Sequence, residues 1–251
     1  MTILFANQKG GVGKSTLCLA LANYISKVKG NKSIYIFDAD FQKSLHTMYD
    51  NDIKKVPNAD EYGHPNMVVF GTDLKESDYD GEKKIGDYFQ FTANKLLSMA
   101  QKFHERDENA MVLIDLPGQL QKPHLKLYKH ADLIITPFAY DTHTFNSTLT
   151  FLSIVERTQS KAQVLLVPNR QKSGANYIVE QETDDAENAI EQMSKEKVNE
   201  ALKKYGYVTS ELKDRVAFQR INTLKTPDEV NEQVNTLFDD VYNKFIQKVP
   251  N

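Results

Sequence analysis

The chain has 251 residues, 40% of them hydrophobic, enough to bury a substantial core, and we read 1–251 as a single large α/β domain rather than two small ones. With 34 acidic against 31 basic residues the formal charge is −3, so no global electrostatic footprint for nucleic acid exists, although a local basic face fits within a balanced total. The single Cys18 excludes an internal disulfide and leaves little means of ligating an iron–sulfur cluster. No apolar run approaches the roughly 20 residues that cross a bilayer. The first residues carry neither a basic region nor a cleavage pattern, which predicts a cytoplasmic protein.

In chain order, short β-branched runs at 2–6, 33–37, 67–70, 111–114, 133–137 and 164–167 predict strands. Segments of helical period at 16–29, 91–105, 142–158 and 185–205 predict helices between them. This alternation implies an α/β fold, a mostly parallel twisted sheet with helices on both faces. Two stretches near 50–87 and 171–185, rich in Asp, Glu, Lys, Asn and Gly, read as surface insertions. Near the end, Val230, Val234, Leu237, Val241 and Phe245 form a helical stripe that packs on the sheet.

The first predicted strand runs into Lys9-Gly10-Gly11-Val12-Gly13-Lys14-Ser15-Thr16 and then into a helix. A loop in that position presents unpaired N–H groups at the positive end of a helix dipole, which suits a polyphosphate. Gly10, Gly11 and Gly13 let the backbone curl against oxygens where a Cβ would clash. Lys14 supplies positive charge to the β- and γ-phosphates, the Ser15 hydroxyl suits Mg²⁺, and Thr16 reaches toward the α-phosphate, so the loop predicts Mg-ATP binding. The general pattern G-x-x-x-x-G-K-[ST] has glycine where Gln8 stands here.

Further along, Asp38-Ala39-Asp40-Phe41-Gln42 places alternating carboxylates at the carboxyl end of a strand, the edge at which open parallel sheets bind ligands. Capping of the following turn is the plainer use of two such aspartates. The apolar run 111–114 ends in Asp115-Leu116-Pro117-Gly118 and reads as Walker B. There Asp115 accepts from Ser15 or from metal-bound water, and Gly118 is placed to turn its N–H toward the γ-phosphate. After 164–167 comes Pro168-Asn169-Arg170, whose Asn169 amide both donates and accepts and is suited to an adenine edge or to a simple turn.

Through residues 9–16, with Lys9 directly before the glycine pair, the chain resembles the ParA/MinD family of deviant Walker A P-loop ATPases. The resemblance covers the phosphate loop, both acidic motifs and Asn169, up to about residue 170, and is loose beyond. It implies that Lys9 reaches across an ATP-dependent homodimer to the partner's nucleotide, with Lys9, Lys14 and Asp40 as the catalytic set. By match, Ser15, Asp38 and Asp115 serve the Mg²⁺ shell, Asp40 orients the attacking water, and Asn169 meets adenine. Val12 joins the glycines, Lys14, Ser15 and Thr16 in holding ATP. Phe41 replaces the proline usual in the switch motif, removing a backbone restraint.

Within that family the resemblance points to a ParA-like DNA-partition member, a small form without an N-terminal helix-turn-helix, since the loop begins almost at Met1. Over 195–225, eight basic residues face four acidic ones, a local balance of 8 − 4 = +4. Lys203, Lys204, Lys213, Arg215 and Arg220 are the candidates for non-specific DNA contact on the nucleoid, with a solvated helical face as the alternative. A ParB-like or other small partner would stimulate hydrolysis. Acidic residues dominate the last helix, which argues against membrane targeting. Two other readings stand: the same switch positioning a protein assembly, for example on a conjugative element, and a ligase of the dethiobiotin synthetase type, against which Lys9 speaks.

Overall fold

A computed structural model describes residues 1–29, 33–40, 42–55, 66–71, 85–119, 121–171, 179–182, 190–214 and 216–247. Seven strands form one sheet: β1 (Thr2–Phe5), β2 (Ile34–Asp38), β3 (Met67–Gly71), β4 (Met111–Asp115), β5 (Leu133–Phe138), β6 (Gln163–Pro168) and, after a separate hairpin, β9 (Tyr207–Val208). Their spatial order is β3-β2-β4-β1-β5-β6-β9, and every pairing is parallel. All six predicted strands are present to within one or two residues.

Strand side chains alternate between two hydrophobic layers, as the two-residue period requires. Ile3, Phe5, Ile36 and Leu113 face α1 (Lys14–Tyr24), Leu45 of α2 (Ser44–Lys55), and the C-terminal helix. Leu4, Phe37, Val112 and Ile114 face the other layer. That layer holds α3 (Ile85–Arg106), α4 (Leu125–His130), α5 (Thr142–Arg157) and α6 (Lys195–Lys203). The C-terminal helix α7 (Asp228–Val241) buries Val230, Val234, Leu237 and Val241 in the first layer, so the predicted stripe packs as expected.

Several boundaries differ from the sequence reading. The predicted helix 185–205 is shorter, because Ile190–Met193 form β8, an antiparallel partner of β7 (Val179–Glu182). Ser194 is extended and caps α6, accepting from the Lys197 N–H, so the helix cannot begin earlier. The stretches read as insertions carry fold elements. Residues 50–55 complete α2, 67–71 are the edge strand β3, and 179–182 belong to the hairpin, whereas 56–65, 72–84, 172–178 and 183–185 lie outside the described residues. Predicted helix 91–105 starts earlier, at Ile85.

Buried polar contacts tie the C-terminal part to the helices before it. The buried Asp52 carboxylate of α2 accepts from the Thr223 N–H at 3.2 Å and hydroxyl at 2.8 Å. Asn23 of α1 donates to the Asn222 carbonyl at 3.0 Å. At the other end of this segment, Gly206 brings β9 so close to β6 that a Cβ would stand 2.2 Å from the Val164 carbonyl oxygen. Gly206→Ala therefore forces β9 outward, and urea unfolding should show a loss of about 2 kcal/mol. An unchanged midpoint would mean that β9 is not held against β6.

Candidate nucleotide-binding site

In this topology the segment after β1 leads to a helix on one face, α1, and the segment after β4 leads to a helix on the other, α4. Since β1 and β4 are neighbours, with Phe5 opposite Asp115, a crevice opens between their carboxyl ends. The glycine loop and Asp115 therefore meet there. Gly11 and Gly13 lie at φ 73° and 101°, a region that favours glycine. Gly13 begins α1 without any side-chain cap, so the first N–H groups of the helix remain directed at the loop.

Buried polar side chains hold the loop from both sides. Asn7, 2% exposed, donates to the Pro137 carbonyl and the Thr148 hydroxyl, each at 2.9 Å, and accepts from the Lys9 N–H at 3.1 Å. On the other flank Asn169 donates to the Val12 carbonyl at 2.8 Å. Its amide crowds Gly13 so closely that a Cβ there would fall 2.3 Å from Nδ2. Lys14 is 8% exposed and turns back to the Lys9 carbonyl at 3.3 Å. Burial lowers its pKa, while Asp115 and Asp40 pull it upward.

The three aspartates have distinct environments. Ser15 donates to Asp115 Oδ2 at 2.5 Å, while buried Oδ1 has no hydrogen-bond partner among the described residues. Burial raises the Asp115 carboxyl to about 7; Asp38 and Asp40 push the same way, against Ser15 and Lys14. Asp38, opposite Asp115 in register, accepts from Asp40 N at 3.2 Å through Oδ1 and from Leu45 N and His46 N at 2.9 and 3.1 Å through Oδ2. It thus caps α2, and burial raises its pKa despite these bonds. Asp40 is partly exposed and accepts from Gln42 N at 3.1 Å. Phe41 lies outside the described residues.

Two hollows flank the loop. One, of about 510 Å³, is lined by exposed Lys9 together with Asp40, Gly118 and Gln119 among others. Gly118 is tight against the loop, since a Cβ there would be 3.2 Å from Gly10 and 3.6 Å from Lys14 Nζ. The other hollow, of about 160 Å³, includes Thr16, Asn169, Arg170, Asp214 and Phe218 in its wall. Arg170 sits at φ 59°, a turn that brings Asn169 inward.

Mg²⁺ fits this donor set. Among the described residues no cluster of three acidic, histidine or cysteine side chains forms an all-protein cage, and magnesium is usually held by one or two carboxylates plus phosphate oxygens. The Ser15 hydroxyl and the unpartnered Asp115 oxygen supply such a partial shell, with Asp38 behind it.

Asn7, Arg170, Asp214 and Phe218 were not among the sequence-predicted site residues. Asn7 left a signal, as a polar residue between an apolar strand and the glycines, and Arg170 adjoins Asn169 after β6; Asp214 and Phe218 depend on the chain passing through β9 beside β6. Of the DNA candidates, Lys203 and Lys204 precede β9, whereas Lys213 and Arg220 follow it. Arg220 pairs with Glu229 at 2.7 Å, and Lys195 with Glu211 at 2.8 Å. Glu229 lies beyond the span counted in the sequence, so the local positive excess is smaller than it reads. Arg215 lies outside the described residues.

The raised Asp115 pKa makes apo stability depend on pH. In the folded chain the carboxyl keeps its proton up to about 7, against 3.8 for its ordinary value, so its favourable contribution is full below about 4 and lost as the pH rises through 7. Without metal or nucleotide, the stability of wild type relative to Asp115→Asn should fall between pH 4 and 7.5. Chemical denaturation at several pH values checks this, and a flat difference would show an ordinary carboxylate.

The family described as CobQ/CobB/MinD/ParA nucleotide binding domain matches residues 3–237. Among solved structures, a plasmid partition protein of Borrelia burgdorferi bound to AMPPNP is similar over 97% of this chain and 98% of that chain, at 18% identity and a TM-score of 0.67. A Cyanothece McdA variant in complex with ATP is similar over 96% and 95%, at 14% identity and 0.64. A chain of the MinC:MinD cell division protein complex of Aquifex aeolicus is similar over 100% and 97%, at 14% identity and 0.62. At these identities the likeness carries the fold. The match across the domain joins the parallel sheet and the glycine loop in one conclusion: the chain belongs to the CobQ/CobB/MinD/ParA family of nucleotide-binding proteins.

Proposed function

We propose that this protein is an ATP-dependent dimerisation switch with slow, partner-stimulated ATPase activity that positions DNA. The observation that carries the reading is the division of labour between two lysines. Lys14 is folded into its own loop, whereas Lys9 stands exposed on the rim of the hollow shared with Asp40 and Gly118. A lysine placed there, next to a complete phosphate loop, suits contact with a nucleotide held by a second copy.

The loop N–H groups and the start of α1 bind the phosphates, and Lys14 offsets their charge. Mg²⁺, held by Ser15 with Asp115 and Asp38 behind it, would supply Lewis-acid charge when bound. Asp40 accepts a hydrogen from the attacking water and so orients it, while the Gly118 N–H faces the terminal phosphate. Thr16 and Asn169 border the hollow that suits ribose and base. Lys9 neutralises charge on the partner's nucleotide, as an arginine finger does.

For the cargo, likeness to a plasmid partition protein favours non-specific DNA, contacted by Lys203, Lys204, Lys213, Arg215 and Arg220 in a nucleoid-associated dimer stimulated by a small ParB-like partner. The pairing of Arg220 and Lys195 with acids favours a second reading, in which the switch positions a protein assembly.

Asp40→Ala should keep ATP affinity within twofold and lower turnover by about a hundredfold, leaving bound nucleotide as ATP. Turnover at the wild-type rate would remove Asp40 from its role. The same variant, locked with ATP, separates the cargo readings. DNA binding that needs ATP and weakens about a hundredfold between 50 and 200 mM salt, as about four neutralised phosphates require, supports partition. Absence of binding at low salt selects the protein cargo.

A further inference from the structure

The hollow on the Lys9 side is walled by three segments: the phosphate loop, the turn carrying Asp40, and the turn after β4 carrying Gly118 and Gln119. Because Gly118 lies against Gly10 and close to Lys14 Nζ, the next residue is held within one peptide unit of the loop. Gln119 is exposed, and it lines the same hollow as Asp40. It stands four residues after Asp115, so the strand end that serves the metal also fixes where this side chain emerges.

The chemistry of the neighbours leaves a gap that an amide fills. An ionised Asp40 only accepts hydrogen bonds, and Lys14 only donates them. Gln119 carries an acceptor oxygen and two N–H donors on one planar group, so it can accept from a water while donating to a phosphate oxygen. A glutamine orients the attacking water in some P-loop NTPases by this means. Other glutamines line the hollow, but Gln42 follows the Asp40 turn, and Gln121 lies past Gln119 where its carbonyl closes the turn to His124.

We infer that Gln119 is a second water-orienting residue for ATP hydrolysis, its amide oxygen holding one hydrogen of the water while Asp40 holds the other. The inference rests on the ATPase reading above. In the step it assists, the water oxygen bonds to the γ-phosphorus, and the bond from that phosphorus to the β–γ bridging oxygen breaks with its electron pair going to ADP. One water proton is released, so ATP and water give ADP, inorganic phosphate and a proton.

The test compares full-length wild type with Gln119→Leu, Gln121→Leu and Asp40→Ala, measuring single-turnover hydrolysis, binding of a non-hydrolysable ATP analogue, and the identity of the nucleotide retained on the protein. Gln119→Leu should slow turnover at least tenfold and retain ATP rather than ADP. Its analogue affinity and unfolding midpoint should match wild type, which a merely structural role would not leave intact. Gln121→Leu should stay within twofold of wild type. If Asp40→Ala is inactive while Gln119→Leu turns over within twofold of wild type, the role of Gln119 is overturned and the ATPase reading stands. If wild type does not hydrolyse ATP, both are overturned.

Discussion

The hydrogen bond from Ser15 to Asp115 joins the two strands on which the nucleotide edge depends. It exists because β1 and β4 are parallel neighbours in register, so the loop leaving one starts beside the carboxylate ending the other. Asp115 is 2% exposed, and a buried carboxylate with one unpartnered oxygen is costly to keep ionised. The cost is visible in its pKa near 7 and in the opposite displacement of Lys14. A cation would favour the ionised Asp115, and phosphate oxygens would favour the charged Lys14, so Mg-nucleotide suits both groups.

From that bond outward, the rest of the molecule braces the edge. Asn7 and Asn169 hold the loop from opposite flanks, anchored to β5 and to the end of β6. Asp38 fixes the start of α2, whose other end reaches Thr223 through Asp52. Thr223 follows closely on the segment Val216–Arg220, part of which walls the hollow beside Asn169. One helix of 12 residues, about 18 Å long, therefore links Asp38 to Thr223.

Strong local signals made much of this readable from sequence. The sheet was legible because β1, β2, β4, β5 and β6 are short, apolar and bounded by polar turns. The loop was legible because three glycines and Lys14 have no other economical use together. Less accessible were features set by distant segments. α2 starts on the buried carboxylate of Asp38, six residues upstream of Ser44, and its charged sequence hides the period. β7 and β8 are stabilised by each other, a pairing that no window of helical period contains. The pairing of Arg220 with Glu229 was hidden for a similar reason, because the partner lies beyond the basic stretch 195–225.

We propose that ATP joins two copies of this chain through Lys9. Light-scattering mass in solution tests it most directly, with wild type and Lys9→Ala each measured in ADP and in a non-hydrolysable ATP analogue. With ADP both should weigh about one chain, 28.7 kDa. With the analogue, wild type should double while Lys9→Ala stays at one chain despite binding nucleotide. A wild-type mass unchanged by the analogue, or a Lys9→Ala variant that doubles as wild type does, would contradict the account.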